Sequence, residues 1–579
     1  MNLRTRPFLI ILFGIIVVAV LVFLTTLDRA GLDDVASNET GVGEEAGDVT
    51  LNLEAVVSSQ RLATEAGLEI LSSGGTAADA AVATAAMLSV VEPWFSSTLG
   101  GGTWALYYDA ASGRVYSLDG VGPIGSLATV ADYQARASTP GIHQSNIPGS
   151  WDAWMILLES YGRLDLGQVL APAIKIAEDG YLVSQEMSTW LISLSDRVLS
   201  RPDTAAIYAP QGKLLQVGET VYQADMAKTF RALVTAYDRR KNSGRSTALQ
   251  AARDYYYRGP LAQAIVDFSD RFGGYLTLDD FSGFEAQIVE PVSIQYNEEV
   301  AVFENPPNSQ GIVMLLALNI LRGFDFDGFN PDDPDVIHRQ AEAIKLAFAD
   351  RYYYIGDPRR VEIPIKELLS DEYARSQQAR IDMDQAGQWP ISPGLNEDFG
   401  VDHTTTFHIV DREGNAIAVT TSLGAEFLVI SDTGIHINNR MRMVSLEEDN
   451  PNQLTPGYKV RHTSNPYLAL RDGQLLEIPA SQLVPGDIVY LEEGDRIPAD
   501  ARLIEAKSLR TLESSLTGEA YPVGKETRVL SVKTPLADRK NTVWLGTFVA
   551  GGWGCPRGRY SRCSVYGCWS GIYCWLFER

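Results

Sequence analysis

The sequence predicts a mixed, layered α/β protein, and three observations carry that reading. Residues 61–73 and 77–90 have the make-up of two helices with a Gly74-Gly75 stop between them. The segment from Ile337 to Tyr354 sets Ile337, Ala341, Ile344 and Phe348 on one helical face. Short β-rich pieces, Thr103–Tyr108 and Val300–Phe303, alternate with such helices, a pattern that packs as layers. At 579 residues the chain exceeds one ordinary domain and can bury large cores.

From the N-terminus, residues 1–6 read as a short inside tail with Arg4 and Arg6, and 7–27 are uncharged and rich in Ile, Leu, Val and Phe. That length suits a bilayer span, and the arginines before it place the main body outside the cell membrane in a single pass. A cleaved signal peptide is the rival; the apolar core is long for one and no clear small-x-small site follows. Residues 28–50, acidic and Gly-rich, read as a flexible tether. A net charge of −25 argues against general nucleic-acid binding, which needs basic patches.

The most informative segment is Asp402-His403-Thr404-Thr405-Thr406-Phe407-His408-Ile409-Val410-Asp411. A hydroxyl-rich start leads into an alternating strand, a polar turn follows at Arg412-Glu413-Gly414-Asn415, and Ala416–Ser422 returns as a second strand of a hairpin. A threonine becomes a strong nucleophile when the chain is cut just before it, because the freed α-amine then serves as base for its own hydroxyl. His403–Thr404 is the candidate bond for that cut. Thr-rich hairpins are commonly structural, so the reading leans on what flanks this one.

Those flanks include Arg61-Leu62-Ala63-Thr64-Glu65-Ala66-Gly67, Gly74-Gly75-Thr76-Ala77-Ala78-Asp79-Ala80-Ala81, Val91-Glu92-Pro93, Leu99-Gly100-Gly101-Gly102, Ile147-Pro148-Gly149-Ser150-Trp151, Pro306-Pro307-Asn308-Ser309-Gln310-Gly311 and Ala341-Glu342-Ala343-Ile344-Lys345-Leu346-Ala347-Phe348-Ala349-Asp350-Arg351. In order and spacing, the chain from about Leu53 to Asp472 resembles the γ-glutamyltransferase (glutathione hydrolase) family. The resemblance implies an N-terminal-nucleophile hydrolase fold, a four-layer αββα sandwich, here C-terminally truncated. It implies self-cleavage into a large chain from 51–403 and a small one from 404–473 that stay associated. Thr404 is then the nucleophile, Thr405 its paired threonine and Ser422 the supporting second hydroxyl. No cofactor or metal is implied; the substrates are small γ-glutamyl compounds or other amides, with water or an amine as acceptor.

The glutamate-recognition set departs from the family pattern. Val121 stands nearest the family's carboxylate-binding arginine, and Gly424 takes the place of its asparagine. Arg440 and Met443 replace its acidic residues, and His462 and Thr463 its paired serines. A bidentate carboxylate clamp and an ammonium-binding acid are both missing, which opens other amides as substrates, as in acylase-like relatives. Arg440, His462 and Thr463 are the substrate-binding candidates; Arg440 could hold a carboxylate or be an ordinary surface ion-pair residue. The family's Gly-Gly oxyanion hole, worth roughly 3–4 kcal/mol per donor, is expected beyond the point where the resemblance stops. A catalytically dead extracytoplasmic protein is therefore the alternative to a working enzyme.

After Arg471-Asp472-Gly473-Gln474 the text changes. Ile478-Pro479-Ala480-Ser481-Gln482-Leu483-Val484-Pro485-Gly486-Asp487, Gly494-Asp495-Arg496-Ile497-Pro498-Ala499-Asp500 and Leu516-Thr517-Gly518-Glu519 resemble the actuator domain of P-type cation-transporting ATPases, over 474–552. In that family the Thr517-Gly518-Glu519 type of loop positions water on an aspartyl phosphate. The sequence holds no Asp-Lys-Thr-Gly-Thr motif to carry one, so the chain reads as an apparent chimera. Residues 553–579 hold all four cysteines, Cys555, Cys563, Cys568 and Cys574, in spacings that match no zinc pattern, and read as an anomalous, out-of-frame tail without strand or helix period.

Overall fold

The computed structural model describes residues 54–326, 333–388, 404–424, 427–471 and 473–475, and separate stretches between 497 and 559. The span expected at 7–27, the tether at 28–50 and His403 lie outside the described residues. Among the described residues no helix is long and apolar enough to cross a membrane. The chain divides into two units, one running to Gln474 and the other from Leu475 to Tyr566.

The first unit is built on a six-stranded sheet in the order β1-β7-β8-β2-β3-β4. These strands are β1 (Ala55–Ser58), β2 (Gly102–Asp109), β3 (Arg114–Gly120), β4 (Gln287–Val289), β7 (Thr404–Val410) and β8 (Ala416–Ser422). The expected hairpin is β7–β8, paired in register from Ala416↔Val410 to Ser422↔Thr404. Its turn closes because Gly414 takes φ +82°, which glycine adopts without a Cβ penalty. β8 lies between β7 and β2, and all seven of its residues are buried. Phe407, Ile409, Ile417 and Val419 point to one face of the sheet and join the main hydrophobic core. Helices α1 (Arg61–Ser72), α2 (Ala77–Val91) and α3 (Ser150–Tyr161) cover that face. Every residue of α2 is buried, Asp79 included. Its carboxylate is satisfied there by the backbone N–H groups of Thr76 at 3.0 Å and Arg163 at 2.8 Å, as a buried charge requires.

A second antiparallel sheet contains β5 (Val292–Gln295), β6 (Val300–Glu304) and β9 (Tyr467–Arg471), with β6 between the other two. Asn305 joins the two sheets: its Nδ2 donates to the Ala105 carbonyl at 2.9 Å and to Ser117 Oγ at 2.6 Å. Helix α4 (Gly311–Leu321), buried throughout, packs on β5 and β6 and against α5 (Pro334–Tyr354). The layers are thus helix, sheet, sheet, helix. The helical face expected on α5 is misplaced, since Ile337 is 50% exposed. The inward stripe includes Val336, Gln340, Ala343, Ile344 and Ala347, all buried. A polar Gln340 in the inward stripe masked its period, and apolar Ile337 on the solvent side supplied a false one.

The second unit holds β10 (Asp500–Leu512) paired antiparallel with β13 (Phe548–Arg559), with β11 (Val523–Gly524) and β12 (Thr542–Val543) beside β10. Ile497, Leu503, Leu509 and Val543 form a small core. No strand period is legible from residue 553 onward, yet Trp553–Arg559 continue β13 against β10. Backbone pairing needs no side-chain alternation, so composition gave no sign of it. Thr517, Gly518 and Glu519 lie outside the described residues.

Candidate active site

β7 opens with Thr404 at the edge of a buried polar cluster. Thr404 is half-buried, and Thr406 and His408 on the same face of β7 are exposed, while Ser422, Thr420 and Ala418 opposite them on β8 are buried, so solvent reaches this face along β7. Thr404 Oγ1 lies 2.9 Å from Ser422 Oγ. The register explains the meeting: Ser422 is directly cross-strand from Thr404 on one side and from Gly102 on the other, and directly opposed residues share a face. Thr404 and Ser422 are thereby brought together as expected.

Arg440 completes the cluster from a 3₁₀ turn, Arg440–Met443. It is fully buried, which excludes the surface ion-pair reading. Its Nη1 donates to Ser422 Oγ at 2.9 Å and its Nη2 to Asn439 Oδ1 at 2.7 Å. Gly424 makes the room. A Cβ there would stand 1.9 Å from Asn439 Oδ1 and 2.6 Å from Arg440 Nη2, and its φ of +93° is left-handed. A side chain at position 424 and the guanidinium of Arg440 in this place therefore exclude one another.

His462 is fully buried. Its Nδ1 accepts the Ser464 N–H at 3.2 Å, so the proton of the neutral ring sits on Nε2. Nε2 has no hydrogen-bond partner among the described residues and faces Gly102, 3.5 Å from where a Cβ would stand, with Val121 at 3.4 Å from the same point. Burial first, and the nearby Arg440 charge second, push the imidazole pKa down to about 3. Val121 is buried apolar wall, and no cation stands in its place. Thr463 is half-buried beside His462.

The glycine run behaves as close-packing backbone. A Cβ on Gly100 would stand 1.8 Å from the His436 carbonyl oxygen, and one on Gly101 2.7 Å from that of Ser97. Asn438 donates to the Gly100 and Asn146 carbonyls at 2.9 and 3.1 Å and accepts the Arg440 backbone N–H at 3.2 Å. The turn bearing Arg440 is thus fixed to the glycine run.

Thr405 is not brought to this cluster. Strand alternation sends it to the helix side, where its Oγ1 lies 3.0 Å from Ser59 Oγ, and Ser59 donates to Glu92 Oε2 at 2.9 Å. Glu92 is buried, and burial first, then the negative charge of Glu186, push its carboxyl up to about 8. Ser59 and Glu92 had no assigned role in the sequence; both lie within the stretch from about Leu53 to Asp472 that carries the family resemblance, which was the one available signal.

A family model described as gamma-glutamyltranspeptidase matches residues 63–478, and one described as P-type ATPase actuator domain matches residues 461–554. The glutathione hydrolase-like YwrD proenzyme of Bacillus subtilis is 34% identical over 425 residues, 72% of this chain and 76% of that protein. The acylase ACY 1 proenzyme of a Pseudomonas species is 30% identical over 436 residues, 72% of this chain and 75% of that protein. The crystal structure of cephalosporin acylase from Bacillus halodurans superposes with a TM-score of 0.64 at 32% identity, covering 77% of this chain and 80% of its own.

Proposed function

The chain belongs to the gamma-glutamyltranspeptidase family, and from that membership we propose that it is a self-processing amide hydrolase or acyltransferase with Thr404 as nucleophile. The observation that carries this is the 2.9 Å contact between Thr404 Oγ1 and Ser422 Oγ at the first residue of β7. In the first step Thr404 Oγ bonds to the His403 carbonyl carbon, and the C–N bond to Thr404 breaks. Water then hydrolyses the ester and leaves a free α-amine on Thr404. In turnover that amine takes the Thr404 hydroxyl proton while Oγ attacks the substrate amide. The proton passes to the departing amine, and water or an amine acceptor releases the acyl group.

The acyl group favoured is not a γ-glutamyl group. Buried Val121 offers no ion pair to an α-carboxylate, and Arg440 would repel an α-ammonium. The name of the acylase ACY 1 relative agrees with a shift toward other amides. Intact-mass measurement tests the core of the reading: incubation yields 1–403 and 404–579, and Thr404→Ala abolishes the cut. An intact wild-type mass after prolonged incubation would sink it. Cleavage without transfer or hydrolysis of any amide would favour the fold without the chemistry.

For location, the uncharged run at 7–27 behind Arg4 and Arg6 supports a single-pass anchor with the hydrolase body outside the cytoplasm. Protease added to intact cells digests 54–471 in that arrangement and spares it in the inverse one.

A further inference from the structure

A guanidinium has donors and no acceptor. The contact between Arg440 Nη1 and Ser422 Oγ therefore runs in one direction, with Ser422 accepting. Taken alone, the Ser422–Thr404 pair could run either way, since either hydroxyl can donate. The surroundings of Ser422 remove that freedom. Ser422 Oγ is fully buried, its contacts among the described residues are with Arg440 and Thr404, and the guanidinium cannot accept, so Thr404 Oγ1 is the acceptor left for its single proton. Thr404 then accepts, and its own proton stays free for a base.

We propose that Arg440 is a positioning residue that polarises the nucleophile through Ser422, fixing the direction Arg440 to Ser422 to Thr404 and setting a permanent positive charge two hydrogen bonds from the attacking oxygen. The inference rests on Thr404 being the nucleophile. Two effects follow. Negative charge developing on Thr404 Oγ is stabilised, by a donor that is itself charge-assisted. The ammonium form of the freed Thr404 α-amine is disfavoured by a like charge, so more of it is the free base at neutral pH. The reach of the Arg440 charge in this site is already visible at His462, which it helps to keep neutral. Among the described residues, the other titratable groups around Thr404 include His408 on the same face of β7, His462 from the loop after the turn, and Glu92, which meets β7 from the opposite face through Thr405 and Ser59. None of these intervenes between Arg440 and Ser422, which touch directly.

The test uses the self-cleaved full-length protein and trace labelling of the Thr404 α-amine with acetic anhydride across pH, read by mass spectrometry of the new N-terminal peptide. In wild type the amine titrates about one pH unit below an ordinary α-amine. Arg440→Gln returns it to the ordinary value and slows amide turnover about tenfold or more at pH 6–7. Arg440→Lys keeps the low titration, because it keeps the charge, yet loses rate, because one ammonium does not hold both Ser422 and Asn439 as the planar fork does. Ser422→Ala slows turnover and leaves the titration low. Should Arg440→Gln fail to fold, the lysine variant carries the test: an ordinary amine titration there overturns the proposal. A cut wild type whose amine titrates as in Arg440→Gln overturns this inference alone; an uncut wild type overturns the nucleophile assignment and this inference with it.

Discussion

Asp411 ties the active-site hairpin to the first turn of α2: its Oδ2 accepts the Ala77 N–H at 2.9 Å. Its Oδ1 accepts the backbone N–H groups of Glu413 and Asn415, each at 3.0 Å. One buried carboxylate thus closes the β7–β8 turn and caps a helix across the sheet, where the helix dipole favours negative charge. Asp411→Ala strips these three backbone N–H groups, and the Asn415 side-chain amide as well, of their acceptor. The expected loss is about 3 kcal/mol, measured as a lowered denaturant midpoint for the first unit, with slower cleavage at His403–Thr404.

Glu92 should make stability fall with rising pH. Its folded carboxyl, pushed up to about 8 from 4.5, holds a proton between those values that the unfolded chain has released. The folded state is therefore favoured below about 4.5, loses that advantage as pH climbs, and levels off above about 8. Glu92→Gln removes the titration. Denaturation midpoints at pH 5 and pH 8.5 should show wild type losing ground to the glutamine variant, by up to roughly 4–5 kcal/mol; parallel pH dependences would refute a raised carboxyl.

Gly424→Ala should damage site and stability together. The new Cβ meets Asn439 Oδ1 and Arg440 Nη2 on a backbone at φ +93°. We expect about 2 kcal/mol of destabilisation and slower self-cleavage, because the guanidinium must leave Ser422. A Gly424→Ala protein that cleaves at the wild-type rate would show the contact to be dispensable.

In the second unit, Lys525 and Glu513 form a buried ion pair, and Thr511 Oγ1 donates to Glu513 Oε1 at 2.8 Å. Lys525→Met leaves a carboxylate buried without its cation, at a cost of about 3–5 kcal/mol. Hydrogen exchange on the whole chain should show protection lost over Asp500–Leu512 and retained over Thr404–Ser422. Loss over both would mean the two units unfold together.

Much of this was legible in the sequence where the signal is local or carried by an ordered set of motifs. The helices at 61–73 and 77–90 and the hairpin follow from period, glycine stops and turn residues, and the pairing of Thr404 with Ser422 follows from the family resemblance. The contact of Arg440 with Ser422 does not. It depends on a 3₁₀ turn held by Asn438 and on space left by Gly424, relations among residues that share no periodicity. The resemblance pairs Thr405 with Thr404, whereas neighbours along a strand point to opposite faces. Gln340 and Ile337 misled in the same manner on α5, each on the side that hydrophobicity alone would not assign.

The sheet order β1-β7-β8-β2 has a consequence for what scission does. β7 and β8 follow the His403–Thr404 bond, and both their flanking strands precede it. Cutting that bond makes two polypeptides whose strands are woven through one another in a single hydrogen-bonded sheet. Such a pair has no seam along which to come apart. Dilution would not separate the fragments, and their dissociation rate would be the unfolding rate of the whole sandwich.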